Sequence, residues 1–133
     1  MRALALVVVL GCGAAPAQAD WRDRYAGRPA LEARQGEASY YADSLAGHRT
    51  ASGDRYDPRQ FTCASRDLPF GTVLRVVRVD TGAAVIVRVN DRGPFGRRQR
   101  LLDLSRAAAQ ELGMVRRGVA HVRAEVLEWG ERH

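Results

Sequence analysis

Val73-Leu74-Arg75-Val76-Val77-Arg78-Val79 is followed by Asp80-Thr81-Gly82, then by Ala83-Ala84-Val85-Ile86-Val87-Arg88-Val89 and Asn90-Asp91-Arg92-Gly93-Pro94-Phe95. Two alternating runs joined by a Gly-containing turn read as a β-hairpin. In the first run Val73, Val77 and Val79 share a parity with Arg75, while Leu74 and Val76 share the other with Arg78. In the second, Val85, Val87 and Val89 point one way and Ile86 and Arg88 the other. Apolar residues on both parities predict a curved or barrel sheet buried on more than one side. Asp91 then stands at the end of a strand, before a Gly-Pro turn, where a carboxylate can be held rigidly at a groove wall. Arg92, Arg97, Arg98 and Arg100 surround it in sequence.

Outward from the hairpin the signals are shorter. Phe61–Ser65 reads as a strand and Leu68-Pro69-Phe70-Gly71 as a turn or strand entry. Downstream, a helix follows Leu102-Asp103-Leu104. Ser105 is its N-cap, Arg106–Leu112 holds three successive Ala residues, and Gly113 stops it. Gly118 opens a closing strand, Val119–Leu127, in which Ala120, Val122, Ala124 and Val126 share one face. Upstream, Ala38–Tyr41 reads as a first strand and Leu45–Pro58 as a long irregular connection. The barrel domain is expected over residues 36–127, with 128–133 a tail. Residues 20–35 are polar, contain Gly27 and Pro29, and read as a linker or irregular arm outside the core.

Residues 1–19 have the layout of a secretory signal. Arg2 precedes the apolar run Ala3–Leu10, and Ala17-Gln18-Ala19 supplies an A-x-A cleavage site before Asp20. Eight apolar residues are too few to span a bilayer as a helix. Val9-Leu10-Gly11-Cys12 offers a second reading. It resembles a lipobox, with a lipoprotein signal over residues 1–11 and lipidation at Cys12. Either route predicts export to the bacterial periplasm or cell envelope. Membrane contact is then expected only through the signal segment or a lipid anchor.

Removal of residues 1–19 leaves 114 residues, enough for one modest core. Either route also deprives Cys63 of a thiol partner, so Cys63 reads as a small buried hydrophobe. All 21 basic residues are Arg, and the whole chain carries a net charge of +6. Arg favours planar carboxylate, phosphate or sugar-face contacts. With an export signal present, the expected partner is an anionic envelope polymer and not nucleic acid. His48, His121 and His133 are far apart in sequence, so no metal site is expected.

Five segments carry a resemblance. They are Gly36-Glu37-Ala38-Ser39-Tyr40-Tyr41, Thr50-Ala51-Ser52-Gly53-Asp54-Arg55-Tyr56-Asp57, Leu68-Pro69-Phe70-Gly71-Thr72, Val89-Asn90-Asp91-Arg92-Gly93-Pro94-Phe95 and Leu102-Asp103-Leu104-Ser105. In order and spacing the chain resembles the rare lipoprotein A family. The resemblance implies a mainly β fold, a six-stranded double-psi β-barrel with a short helix, similar to expansin and barwin-like barrels. It also implies lytic transglycosylase activity on peptidoglycan glycan strands, without a cofactor. Cell-division or other envelope proteins are the further partners considered. A glycan-binding or wall-loosening barrel without catalysis, and an accessory or inhibitory interaction protein, are the alternatives.

The resemblance also assigns residues. Asp91 takes the acid–base position, and Asp54, an acidic groove residue, is the second catalytic candidate, placed to stabilise developing positive charge or orient a sugar. Asp103 belongs to the Asp-Leu-Ser segment, facing the groove or accepting backbone hydrogen bonds before the helix. Tyr40 or Tyr41 is a candidate sugar platform; alternation predicts that they face opposite sides. Ser65, Tyr41, Arg92 and Asp103 are the expected substrate contacts. The family's Thr-Ala-Ala-His is here Thr62-Cys63-Ala64-Ser65, so Ser65 stands where a groove His is expected. Ser cannot exchange protons near neutral pH as imidazole does. His48, in the loop before Thr50, is a candidate auxiliary group.

Overall fold

The computed structural model describes residues 20–131; the signal segment, Cys12 and His133 lie outside the described residues. Six strands form a closed barrel: β1 (Glu32–Tyr40), β2 (Thr62–Ala64), β3 (Val73–Arg78), β4 (Ala84–Asp91), β5 (Arg100–Leu104) and β6 (Ala120–Glu128). Their order around the barrel is β1-β5-β2-β4-β3-β6, closing back on β1. The β1–β5 and β2–β4 pairs are parallel and the other four antiparallel. This is the double-psi β-barrel that the sequence resemblance implies.

The hairpin forms as expected. Its turn is closed by Arg78 N–H to Ala83 O at 2.8 Å, and Gly82 supplies the positive φ of 81°. Leu74, Val76, Val85, Val87 and Val89 face the main core. That core also takes Ala38 from β1, Cys63 from β2, Leu102 and Leu104 from β5, and Val122, Ala124 and Val126 from β6. One short helix, α1 (Arg106–Glu111), presents Ala108 and Ala109 to this core; Leu112 and Met114 behind it are also buried there. Ser105 caps it by accepting from Ala108 N–H at 3.3 Å. Arg78, 8% exposed, donates to the carbonyls of Leu112 and Gly113 at the other end.

The opposite parity of the hairpin is buried for a reason the sequence pattern did not disclose. Val73 and Leu127 form a second cluster with Tyr25, and Trp21 and Ile86 pack against it. Trp21–Tyr25 is a 3-10 turn docked on the outside of the barrel, with Asp20 as its N-cap. Arg22 pairs with Asp20 and Glu111, and Tyr25 Oη donates to Glu128 at 3.0 Å. This corrects the expectation that residues 20–35 form an arm outside the core. The barrel itself also begins earlier, at Glu32. Only Ala38 of β1 is fully buried, so β1 has no apolar stripe to read; its ladders to β5 and β6 hold it. Arg100–Leu104 does bury Leu102 and Leu104 in alternation, but five residues are too short a run to declare a strand by pattern.

The expected tail is attached too. Gly130 N–H donates to Thr72 Oγ1 at 3.0 Å, and a Cβ on Gly130 would lie 2.1 Å from Phe70 O.

Candidate functional site

Register places four residues from four strands in one row. Ser39 of β1 is opposite Asp103 of β5, Asp103 opposite Ala64 of β2, and Ala64 opposite Asp91 of β4. The adjacent Ala38, Cys63, Leu102 and Leu104 face the core, which turns Ser39, Ala64 and Asp103 the other way. A shift in the β2–β4 register between Cys63 and Ala64 aligns Asp91 with Ala64. One intervening strand separates the two carboxylates, a spacing of about 10 Å between backbones.

Asp91 is held by three donors. Its Oδ1 accepts from Ala51 N–H and Arg92 N–H, both at 2.8 Å, and its Oδ2 accepts from Tyr41 Oη. A carboxylate has about four lone-pair sites. One position on Oδ2 is therefore left for a substrate. Tyr41 stacks on Tyr56 with ring centroids 4.4 Å apart. Tyr56 is buried, and its Oη accepts from Arg106 N–H at 3.0 Å. Burial, then the hydrogen bond and charge of Asp91, then the charge of Asp103 push the Tyr41 phenol far above its ordinary range. Tyr41 thus stays a donor. Asp103 accepts from Ser39 Oγ through Oδ1, and its side chain faces the row rather than the helix N-terminus, where Ser105 is the cap.

The other expected site residues are placed differently. Asp54 does not touch Asp91; its Oδ2 accepts from Asn90 Nδ2 at 3.4 Å, and its carbonyl accepts from Thr50 N–H at 2.7 Å. Arg92 does not project as a substrate contact. Its guanidinium donates to the carbonyls of Leu68 and Ser65 and lies 4.0 Å over the Phe70 ring, bracing the turn. Ser65 is 2% exposed, and its Oγ accepts from Leu68 N–H at 3.2 Å. Its backbone N–H reaches Asp91 O at 3.1 Å, so it supports the Asp91 strand without presenting a side chain to the face. His48 is exposed, and its carbonyl accepts from Tyr56 N–H at 2.8 Å. Neither His48 nor His121 hydrogen-bonds Asp91 among the described residues. Tyr40, on the opposite side from Tyr41, donates to Val115 O at 2.7 Å. Cys63 is fully buried, and burial followed by the Asp103 charge pushes its thiol far up, away from thiolate chemistry.

Ser39, Ala51 and Tyr56 lie in segments that carry the resemblance, but their roles were missed. Each acts through a contact distant in sequence that only the strand register reveals. Beside the row, two clefts meet at Asp54, Gln60, Thr62 and Asn90. One, of about 600 Å³, runs past Tyr56 and Asp57; the other, of about 380 Å³, runs to Trp21, Arg24 and Arg88.

Sequence comparison agrees with this architecture. The profile of the lytic transglycolase family matches residues 33–124. A probable endolytic peptidoglycan transglycosylase RlpA of Nostoc sp. is 54% identical over 95 residues, covering 70% of this chain and 25% of that protein. The endolytic peptidoglycan transglycosylase RlpA of Neisseria meningitidis serogroup A is 47% identical over 96 residues, 72% of this chain and 40% of that protein. The chain thus spans well under half the length of these relatives. Among solved structures, an apo expansin of Clavibacter michiganensis superposes with a TM-score of 0.59 at 20% identity, over 75% of this chain and 52% of that one. A Streptomyces papain inhibitor gives 0.58 at 24% identity, over 76% and 99%. These two structural likenesses establish the fold, while the profile and the sequence relatives establish descent: this chain belongs to the lytic transglycolase family, through its double-psi β-barrel.

Proposed function

We propose that the barrel binds peptidoglycan glycan strands across the Asp91–Tyr41–Asp103 face. There it cleaves between N-acetylmuramic acid and N-acetylglucosamine, leaving a 1,6-anhydro end. The observation that carries this reading is the held Asp91 carboxyl, with three donors fixing it and one lone-pair position open on Oδ2. The peptidoglycan transglycosylase activity for which relatives 47–54% identical are named supports the substrate.

One carboxyl group suffices for the chemistry. Protonated Asp91 gives its proton to the glycosidic oxygen as the C1–O bond breaks, and the N-acetylglucosamine hydroxyl leaves. The resulting carboxylate accepts the proton of the muramic C6 hydroxyl as O6 bonds to C1. The proton count is restored and no water is consumed. Tyr41 holds the orientation throughout, since its phenol keeps its proton. Asp103 and Ser39 orient sugar hydroxyls two strands away. Asp54, joined to Asn90, lines the adjoining cleft and stabilises positive charge only at a distance.

Purified protein on glycan strands lacking stem peptides, with products resolved by mass, tests the reading. Wild type should yield 1,6-anhydro ends, and Asp91→Asn should yield none while keeping the fold. Undiminished product from folded Asp91→Asn would sink the assignment. A second reading, a glycan-binding barrel without turnover, is favoured by one observation: among the described residues no imidazole reaches Asp91, and Ser65 spends its hydroxyl on Leu68. Ser65→His separates the two. A rise in turnover at unchanged affinity identifies the lost imidazole as the limit on rate; binding with no product from either protein supports the second reading.

A further inference from the structure

We propose that Arg88, set over Trp21 and joined by Arg24, forms a subsite for the carboxylate of an acidic sugar further along the glycan from Asp91. The proposal rests on the glycan-binding reading above and adds to it a charged recognition element.

Arg88 projects outward from β4, because Val87 and Val89 on either side are fully buried. Its guanidinium carbon lies 4.5 Å from the Trp21 ring centroid, a cation–π contact that anchors the group. Among the described residues that guanidinium makes no hydrogen bond or ion pair, and neither does that of Arg24. The contrast within the chain is informative. Arg22, Arg34, Arg75, Arg78, Arg100 and Arg106 each pair with a carboxylate. A partly buried guanidinium with no internal partner, anchored on an aromatic ring beside an open cleft, matches a bidentate carboxylate.

The cleft fixes where that carboxylate comes from. Gln60, Thr62 and Asn90 line it with neutral donors and acceptors suited to sugar hydroxyl and acetamido groups. Asn90 is the residue before Asp91, so a chain leaving the Asp91 face enters here. Asp54 stands where this cleft meets its neighbour. Its charge disfavours an anion there and directs one toward the Trp21 end. Trp21 is fixed in place by its own turn, through the Arg22–Glu111 pair and the Tyr25–Glu128 hydrogen bond. Trp21 and Arg24 both precede the family-matched residues 33–124, so this wall is an addition to the shared barrel. In a glycan of alternating N-acetylmuramic acid and N-acetylglucosamine without stem peptides, the lactyl carboxylate of muramic acid is the matching group.

The test compares binding of three probes to the full mature protein. They are glycan strands lacking stem peptides, the same strands with carboxyl groups converted to methylamides, and chitin oligosaccharide. Wild type should bind the acidic strands about tenfold more tightly than the methylamides, the scale of one charged hydrogen-bonded contact. Arg88→Gln, which keeps part of the stem on Trp21, should erase that difference and leave binding of the methylamide strands and chitin oligosaccharide unchanged. Trp21→Ala should act in the same direction. Equal wild-type affinity for acidic and amidated strands would overturn the subsite while leaving the proposed function standing. Undiminished discrimination in folded Arg88→Gln would do the same. A wild-type protein that binds no glycan at all would overturn both.

Discussion

At the residue scale the candidate site is a matter of which oxygen each donor occupies. Asp91 was legible from its place between a strand and a Gly-Pro turn, but the phenol that holds it was not. Tyr41 reaches Asp91 only because β1 and β4 converge on the same face through β5 and β2. Removing that donor should slow turnover without loosening substrate. Tyr41→Phe is expected to lower kcat roughly tenfold or more, the scale of a hydrogen bond to a charged group, with KM little changed. Steady-state kinetics on soluble glycan checks the split, and an equal loss in affinity would reassign Tyr41 to binding. Ser65 shows the converse limit. Its position in a motif suggested a groove, yet its hydroxyl closes the turn to Leu68, a local competition that a one-dimensional pattern does not resolve. Gly130 is a further residue whose role is purely spatial. A Cβ there meets Phe70 O and Thr72 N at 2.1 and 2.6 Å. Gly130→Ala should therefore cost about 1–3 kcal/mol, as overpacking does, read as a lowered denaturation midpoint.

At the element scale, the hairpin and α1 followed from alternation, turn chemistry and capping, because each is stabilised by neighbours in sequence. The part of β1 before Ala38 and all of β5 did not, because partners distant in sequence hold them. The Trp21–Tyr25 turn was misjudged for a related reason. Three of its five residues are charged, so its composition is polar, yet two aromatic rings do the packing. Tyr25 is 4% exposed between Val73 and Leu127. Tyr25→Ala should cost about 3 kcal/mol, the lower end for deleting a buried aromatic ring, and deletion of residues 20–28 at least as much. Chemical denaturation of the protein measures both. An unchanged midpoint would return this segment to the status of a linker.

At the scale of the whole molecule, two protons are held by the closed barrel itself. Burial raises the Cys63 thiol and the Tyr41 phenol above their ordinary values, which are about 8.5 and 10 in open chains. An unfolded chain loses these protons at those values while the barrel keeps them. The stability they contribute is thus complete below about pH 8.5 and declines as pH rises, first through Cys63 and then through Tyr41. Denaturation midpoints between about pH 8 and 11 should fall on that course, with Cys63→Ala flattening the first part and Tyr41→Phe the second. The barrel closure has one more consequence, for the order in which the protein acquires its capabilities. β1 is seated between β5 and β6, and β6 is the last of the six barrel strands in chain order. The contacts that shape the Asp91 row are almost all non-local, a topology of high contact order that folds slowly. An unfolded chain carries every residue of the site and none of its geometry. A polypeptide truncated before Ala120 lacks β6 and cannot close the barrel, so it should bind no glycan at all where the closed barrel does.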